Sequence, residues 1–242
     1  MFIRTVEYEL LDPLFYASRE LGTVYMTEPI LTSYGQPYAL HWVEAPYRLA
    51  PKEVQRPRYA ADLEGLNARG IYLGPASPVG PVRYRVERFN ALTETYWYAM
   101  RQGVVASRLE HRSTASRIGA VNRPQQGQLR LVDRGTRLRA VLVSETDDVP
   151  AIPPYCRLGK FMSKARVRVE RLGRAEERDG PFDATGYLNP ADLPPSARPL
   201  GWDLVNVRPV PLLAAARFAG PHLDAKGVCV PQGLRYRFPE GG

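Results

Sequence analysis

Arg166-Val167-Arg168-Val169-Glu170 alternates apolar and charged residues, and this two-residue period decides how the chain folds. Successive side chains of a strand point to opposite faces, so such a run is a half-buried strand. The same alternation recurs along the chain. Val6, Tyr8 and Leu10 oppose Glu7 and Glu9, and Val82, Tyr84 and Val86 oppose Arg83, Arg85 and Glu87. Leu138, Ala140 and Leu142 oppose Arg137 and Arg139, and Leu234, Tyr236 and Phe238 oppose Arg235 and Arg237. Residues 93–100, rich in Thr and aromatics, also suit a strand. Helices are fewer. Thr27 reads as an N-cap with Pro29 in the first turn, Ile30, Leu31 and Tyr34 as the apolar face, and Pro37 as a kink or stop. Tyr59 to Ala68 reads as a short helix with Leu63 and Leu66 inward and Gly70 near its C-terminal cap. Val210 to Phe218 is a third candidate helix. The expected class is α+β, built on antiparallel sheet.

The 242 residues suffice for one large domain or two small ones, and 44% hydrophobic with 24% charged residues is a globular composition. The 23 prolines and 20 glycines gather at 74–81, 149–154, 180–199 and 209–211, which read as loops. Residues 176–199 form the best candidate for a long excursion or a domain boundary. No apolar run approaches the ~20 residues of a membrane span, and Met1 to Tyr8 starts directly into a strand pattern, so a cytoplasmic protein without membrane contact is expected. Cys156 and Cys229 lack companion ligands at zinc spacing and are read as reduced thiols. Phosphate-loop and dinucleotide fingerprints are missing, and neither a cofactor nor a metal is expected.

Charge is where the sequence speaks about function. The formal net charge is +8, and four lysines among 33 basic residues leave 29 arginines. Residues 101–139 hold nine arginines against Glu110 and Asp133, a net +7 in one segment. Such a field is a footprint for a polyanion, although a solvated basic loop has the same composition. Asn122 to Gln128 has turn chemistry and no apolar anchor, which predicts the tip of an extended hairpin. Arg101, Arg108, His111, Arg112, Arg117 and Arg123 would line it, with Arg130 and Arg134 on the return, and guanidinium forks suit phosphates. Tyr96, Trp97 and Tyr98 offer either a stacking face for unpaired bases or ordinary core.

A second stretch is Arg157-Leu158-Gly159-Lys160-Phe161-Met162-Ser163-Lys164-Ala165. A glycine, a serine and two lysines before a strand can bring donors to a phosphate, yet the pattern alone is equally a tight turn with solvated lysines.

This string, with Phe15-Tyr16-Ala17-Ser18-Arg19-Glu20-Leu21-Gly22 and Leu66-Asn67-Ala68-Arg69-Gly70-Ile71-Tyr72, resembles the smaller Csc-family, Cas-five-like subunit of type I-D CRISPR Cascade complexes. The similarity covers roughly the first 170 residues well and the rest loosely. It implies a RAMP-superfamily, ferredoxin-like (RRM-like) core over residues 1–175 with a protruding basic β-hairpin thumb at 101–139. Residues 176–242 would be a loop-rich extension completing the sheet. The implied role is to bind the crRNA 5′ handle and cap the backbone filament. The implied partners are the neighbouring backbone subunit and the large nuclease-bearing subunit, with target DNA reached indirectly. The resemblance also turns Tyr16, Ser18, Arg19, Arg157, Gly159, Lys160, Ser163 and Lys164 into expected RNA contacts beside the arginines of the thumb.

Catalysis is not expected. The three histidines, His41, His111 and His222, are scattered. His111 within the basic segment keeps a metal-independent repeat endoribonuclease open as the alternative. A general single-strand RNA-binding protein is a second.

Overall fold

The computed structural model describes residues 1–43, 58–91, 125–207 and 210–237. In chain order its strands are β1 Phe2–Leu10, β2 Arg19–Leu21, β3 Val24–Met26, β4 Ile71–Leu73, β5 Ser77–Pro78, β6 Tyr84–Ala91, β7 Gln125–Val132 and β8 Arg137–Ser144. They continue as β9 Tyr155–Leu158, β10 Ser163–Arg174, β11 Glu176–Arg178, β12 Pro181–Asp183, β13 Arg198–Val205, β14 Leu212–Ala219, β15 His222–Ala225 and β16 Val228–Pro231. The helices are α1 Gly35–Ala39 and α2 Tyr59–Ala68. The molecule is mostly β, with antiparallel sheet at its centre.

The main sheet runs β4-β8-β1-β10-β9, with β5 beside β8 and every neighbour antiparallel. β1 is the middle strand. Its alternation places Val6, Tyr8 and Leu10 in the core, while Glu7 and Glu9 stand between arginines of both neighbours. Glu7 pairs with Arg139 at 2.9 Å and Arg137 at 3.7 Å, and Glu9 with Arg166 and Arg168 at 3.3 Å each. Cross-strand pairs of this kind contribute roughly 0.2–1 kcal/mol apiece. They fix the register, because a one-residue slip would carry both glutamates into the core.

Residues beyond Ala175 form two further three-stranded sheets, β11-β15-β16 and β12-β14-β13. Phe182, Leu188, Phe218, Leu223 and Val230 join Ile3, Val6 and Leu142 in one buried cluster. A fourth sheet, β2-β3-β7-β6, carries the base of the basic segment.

Several expectations need correction. Thr27 caps no helix: its hydroxyl donates to the Tyr16 carbonyl at 2.9 Å and accepts from the Tyr16 amide at 3.2 Å. Residues 27–34 are held instead by side-chain and bridge contacts, Leu31 bridging Ala76. The helix forms later as α1, and Pro37 fits because the first-turn N–H groups have no intrahelical partner to lose. Val210 to Phe218 is not a helix. Leu212–Ala219 is β14, paired with both β12 and β13, and Ala215 at φ 46° interrupts any helical path. Tertiary pairing here overrides the helix preference of its alanines. Residues 234–237 keep the expected burial of Leu234 and Tyr236 without forming a strand. The Asn67 side-chain amide replaces the ladder, donating to the Tyr236 carbonyl at 2.9 Å and accepting its amide at 3.0 Å.

On the edge strand β6 the expected inward residues Tyr84 and Val86 are exposed, and so is Val169. Gln125 to Gln128 is not a hairpin tip but the start of β7, where Gln125 faces Ala91. Arg137 and Arg139 belong to the main sheet through β8. The strand expected at 93–100 lies outside the described residues.

Candidate nucleic-acid interface

The chain leaves β1 at Leu10 and runs along residues 11–18, and the turn between β9 and β10 docks onto this run. Ser163 pairs with Leu158, so the turn is Gly159-Lys160-Phe161-Met162. The Lys160 amide donates to the Phe15 carbonyl at 2.8 Å, and the Ser163 hydroxyl donates to the Pro13 carbonyl at 2.6 Å. The Lys164 amide donates to the Asp12 carboxylate at 3.0 Å. Gly159 has φ +68°, and a Cβ there would stand 2.5 Å from the Phe15 oxygen, so only glycine permits the contact. Phe15 and Phe161 rings meet at 4.8 Å.

The anchors thus face inward and the cationic and aromatic side chains outward. Lys160, Phe161, Met162 and Lys164 are exposed, with Phe161 at 53%. Lys164 lies over the Tyr155 ring at 4.5 Å, and Arg157 donates to the Met162 carbonyl at 3.0 Å. The result is a knuckle of cations interleaved with aromatic faces. Cations so exposed can bind phosphates with release of counterions, and exposed rings can stack unpaired bases.

The segment holding Tyr16, Ser18 and Arg19 adjoins this knuckle, although about 140 residues of sequence separate the two. Its hydroxyls serve the fold. Tyr16 donates toward the Glu28 carbonyl at 2.6 Å, with the Ile30 carbonyl also in contact, and burial pushes its phenol well above the ordinary range. Ser18 donates to the Met26 carbonyl and accepts from the Glu28 amide, both at 2.8 Å. Arg19 is exposed and pairs with Glu28 at 3.4 Å. Arg130 pairs with the same carboxylate at 3.1 Å and lies over Tyr84 at 4.6 Å. A cleft of about 470 Å³ opens between α1 and the knuckle, with Tyr16, Gln36, Tyr38, Arg157 and Gly159 in its walls. Gln36 is buried with its side-chain carbonyl oxygen unpartnered among the described residues.

Arg101, Arg108, His111, Arg112, Arg117 and Arg123, with Tyr96, Trp97 and Tyr98, lie outside the described residues. The structure adds Phe161, Tyr155 and Tyr84 to the candidate site residues, and sets Arg130, expected on the return of the hairpin, over Tyr84. Phe161 was visible inside the Arg157–Ala165 string; the Tyr84–Arg130 contact was not, because no sequence signal pairs β6 with β7. Among the described residues no helix is long and apolar enough to cross a membrane, and no group of three or more His, Cys, Asp or Glu side chains is placed to hold a metal. Burial pushes the Cys156 thiol up to about 11.

Among solved structures the chain is similar to a CRISPR protein from Archaeoglobus fulgidus, at 13% identity over 98% of this chain and 100% of that one, with a TM-score of 0.41. It is also similar to a chain in the Type III-B Cmr-beta complex bound to cognate target RNA and AMPPnP, at 10% identity over 89% and 86% of the two chains, with a TM-score of 0.45. No curated protein matches it. The family of the Type I-D CRISPR-associated protein Cas5/Csc1 matches residues 1–239, nearly the whole chain. The chain belongs to that family, whose members are part of a CRISPR effector complex.

Proposed function

We propose that this protein is a non-catalytic subunit of the type I-D surveillance complex that grips the 5′ handle of the crRNA and caps one end of the backbone filament. The observation that carries this reading is the knuckle between β9 and β10. Gly159 and Ser163 lock it to residues 13–15, while Lys160, Phe161 and Lys164 are left facing solvent. Residues 101–123, with Arg101, Arg108, Arg112, Arg117 and Arg123 against Glu110, supply a further net +4 for the phosphates, whereas Arg130, Arg137 and Arg139 are paired with glutamates of the fold. β6 and β7, which flank residues 92–124, support a thumb-like hairpin by their antiparallel pairing. The order β4-β8-β1-β10, with α2 crossing from β1 to β4, supports a ferredoxin-like core. Described residues 145–154 and β9 then stand where the second crossover helix of that plan would be. The proposed partners are the adjoining backbone subunit and the large subunit, through which target DNA is reached.

The test is RNA binding by a Lys160→Ala, Phe161→Ala, Lys164→Ala variant. Affinity for RNA carrying the repeat-derived 5′ end falls by about tenfold or more, and the slope of log K against log salt decreases by about 1.4, two cations at about 0.7 each on a single strand. Binding equal to wild type would refute the knuckle as the grip. Incubation of the wild type with repeat RNA in EDTA leaves the RNA intact; products ending in 2′,3′-cyclic phosphate would overturn the non-catalytic reading.

A further inference from the structure

We propose that β13 is a docking surface for another protein subunit of the effector complex, one presenting an apolar recess that receives Trp202 between Leu200 and Leu204. These three residues are 51%, 57% and 60% exposed respectively, and they occupy alternate positions of one strand. Trp202 and Leu204 share a face by the strand's pleat. Leu200 stands where the pairing with β14 shifts register between Pro199 and Gly201. β13 is the outer strand of its sheet, and among the described residues nothing pairs with its free edge.

Three observations choose the occupant. First, charge: residues 198–207 contain one arginine and one aspartate, a balanced surface unlike the +7 of residues 101–139, so a polyanion has no purchase here. Second, size: three such side chains expose on the order of a few hundred Å², as large as the biggest apolar patch on a typical monomer. That area is about half of one partner's share of a standard protein interface, which fits the centre of an interface with a polar rim around it. Third, position: β13 runs on to Asn206 and Val207, which line a cleft of about 280 Å³ with Ser18, Arg19, Glu20 and exposed Leu21. The patch therefore continues toward the knuckle side of the molecule. The register shifts and Pro199 hinder addition of a further strand, so recognition runs through side chains with the indole as anchor. The proposal takes its partner from the assembly reading above and does not depend on the RNA grip.

The experiment compares the full chain with a Trp202→Ser, Leu204→Ser variant. Alone, both are monomers by light scattering, melt within a few degrees of each other and bind handle RNA equally. When each is co-expressed with crRNA and the other type I-D proteins, the variant retains those proteins about tenfold less well. If the double variant melts early, Leu204→Arg replaces it, since an exposed position accepts charge without loss of fold. Normal assembly overturns the proposal. A wild-type dimer that the variant abolishes assigns the face to a second copy instead, and a loss of RNA affinity assigns it to RNA. A Trp202 emission already that of a buried indole in the isolated wild type, read against Trp202→Phe, shows that the chain covers the patch itself. Handle binding that survives the knuckle variant while the β13 variant still falls out of the complex refutes the RNA grip alone.

Discussion

A methyl group at position 159 would need the space of the Phe15 carbonyl oxygen, in a backbone region that costs an L-residue roughly 1–2 kcal/mol on its own. Gly159→Ala is therefore expected to lose about 2–3 kcal/mol in urea unfolding and to weaken handle binding with it. A loss under about 0.5 kcal/mol would mean that the knuckle is not seated as described. Asp192 carries the second prediction at this scale. It is wholly buried and accepts from the Tyr72 hydroxyl at 2.9 Å, the Arg237 amide at 3.0 Å and the Ser33 hydroxyl at 3.1 Å. Burial outweighs these donors and pushes its carboxyl up to about 6. The folded state then holds the proton more tightly than the unfolded one, so this stabilisation is full below about pH 4 and is lost as pH rises through 6. The amplitude is on the order of 3 kcal/mol. Asp192→Asn should flatten the stability profile between pH 4 and 7; an unchanged slope would clear Asp192 of the effect. Gly159 was legible in the sequence because its neighbours form a recognisable string. Asp192 was not, since a proline-rich stretch gives no period from which to read that one of its carboxylates is buried.

Elements were legible where one face is buried and the other is wet. α2 was read to the residue from Leu63 and Leu66, and β1, β8 and β10 from their alternation. Three of the misreadings share one cause. Thr27, residues 212–219 and Tyr236 take their conformation from partners distant in sequence: Tyr16, the strands flanking β14, and Asn67. A local pattern cannot contain such partners. The hairpin of β2 and β3 shows how much one of them matters. Ser18 serves both the Met26 carbonyl and the Glu28 amide; the carbonyl keeps the Ser18 amide as a donor at 2.9 Å, so Ser18→Ala leaves the half-buried Glu28 amide unpaired at a cost of about 1 kcal/mol. In hydrogen exchange the Glu28 amide should lose protection while β1 amides keep theirs. Equal protection of Glu28 in both proteins would show that Ser18 is incidental to the hairpin.

For the whole molecule, composition and charge located the basic segment but could not assign residues 176–242 to the core. Phe218 and Leu223 are fully buried in the same cluster as Ile3 and Val6. A fragment ending at Ala175 is therefore expected to lack a cooperative thermal transition; a sharp melt with dispersed NMR signals would make the two parts independent. The central place of β1 also has a consequence in time. Its partners β8 and β10 lie some 130 to 170 residues further along the chain. At about 5–20 residues per second of synthesis, β1 waits on the order of 10–30 s before both of its edges are covered. Through that interval a ribosome-bound nascent chain exposes an apolar strand template, a natural client for a chaperone that binds extended segments.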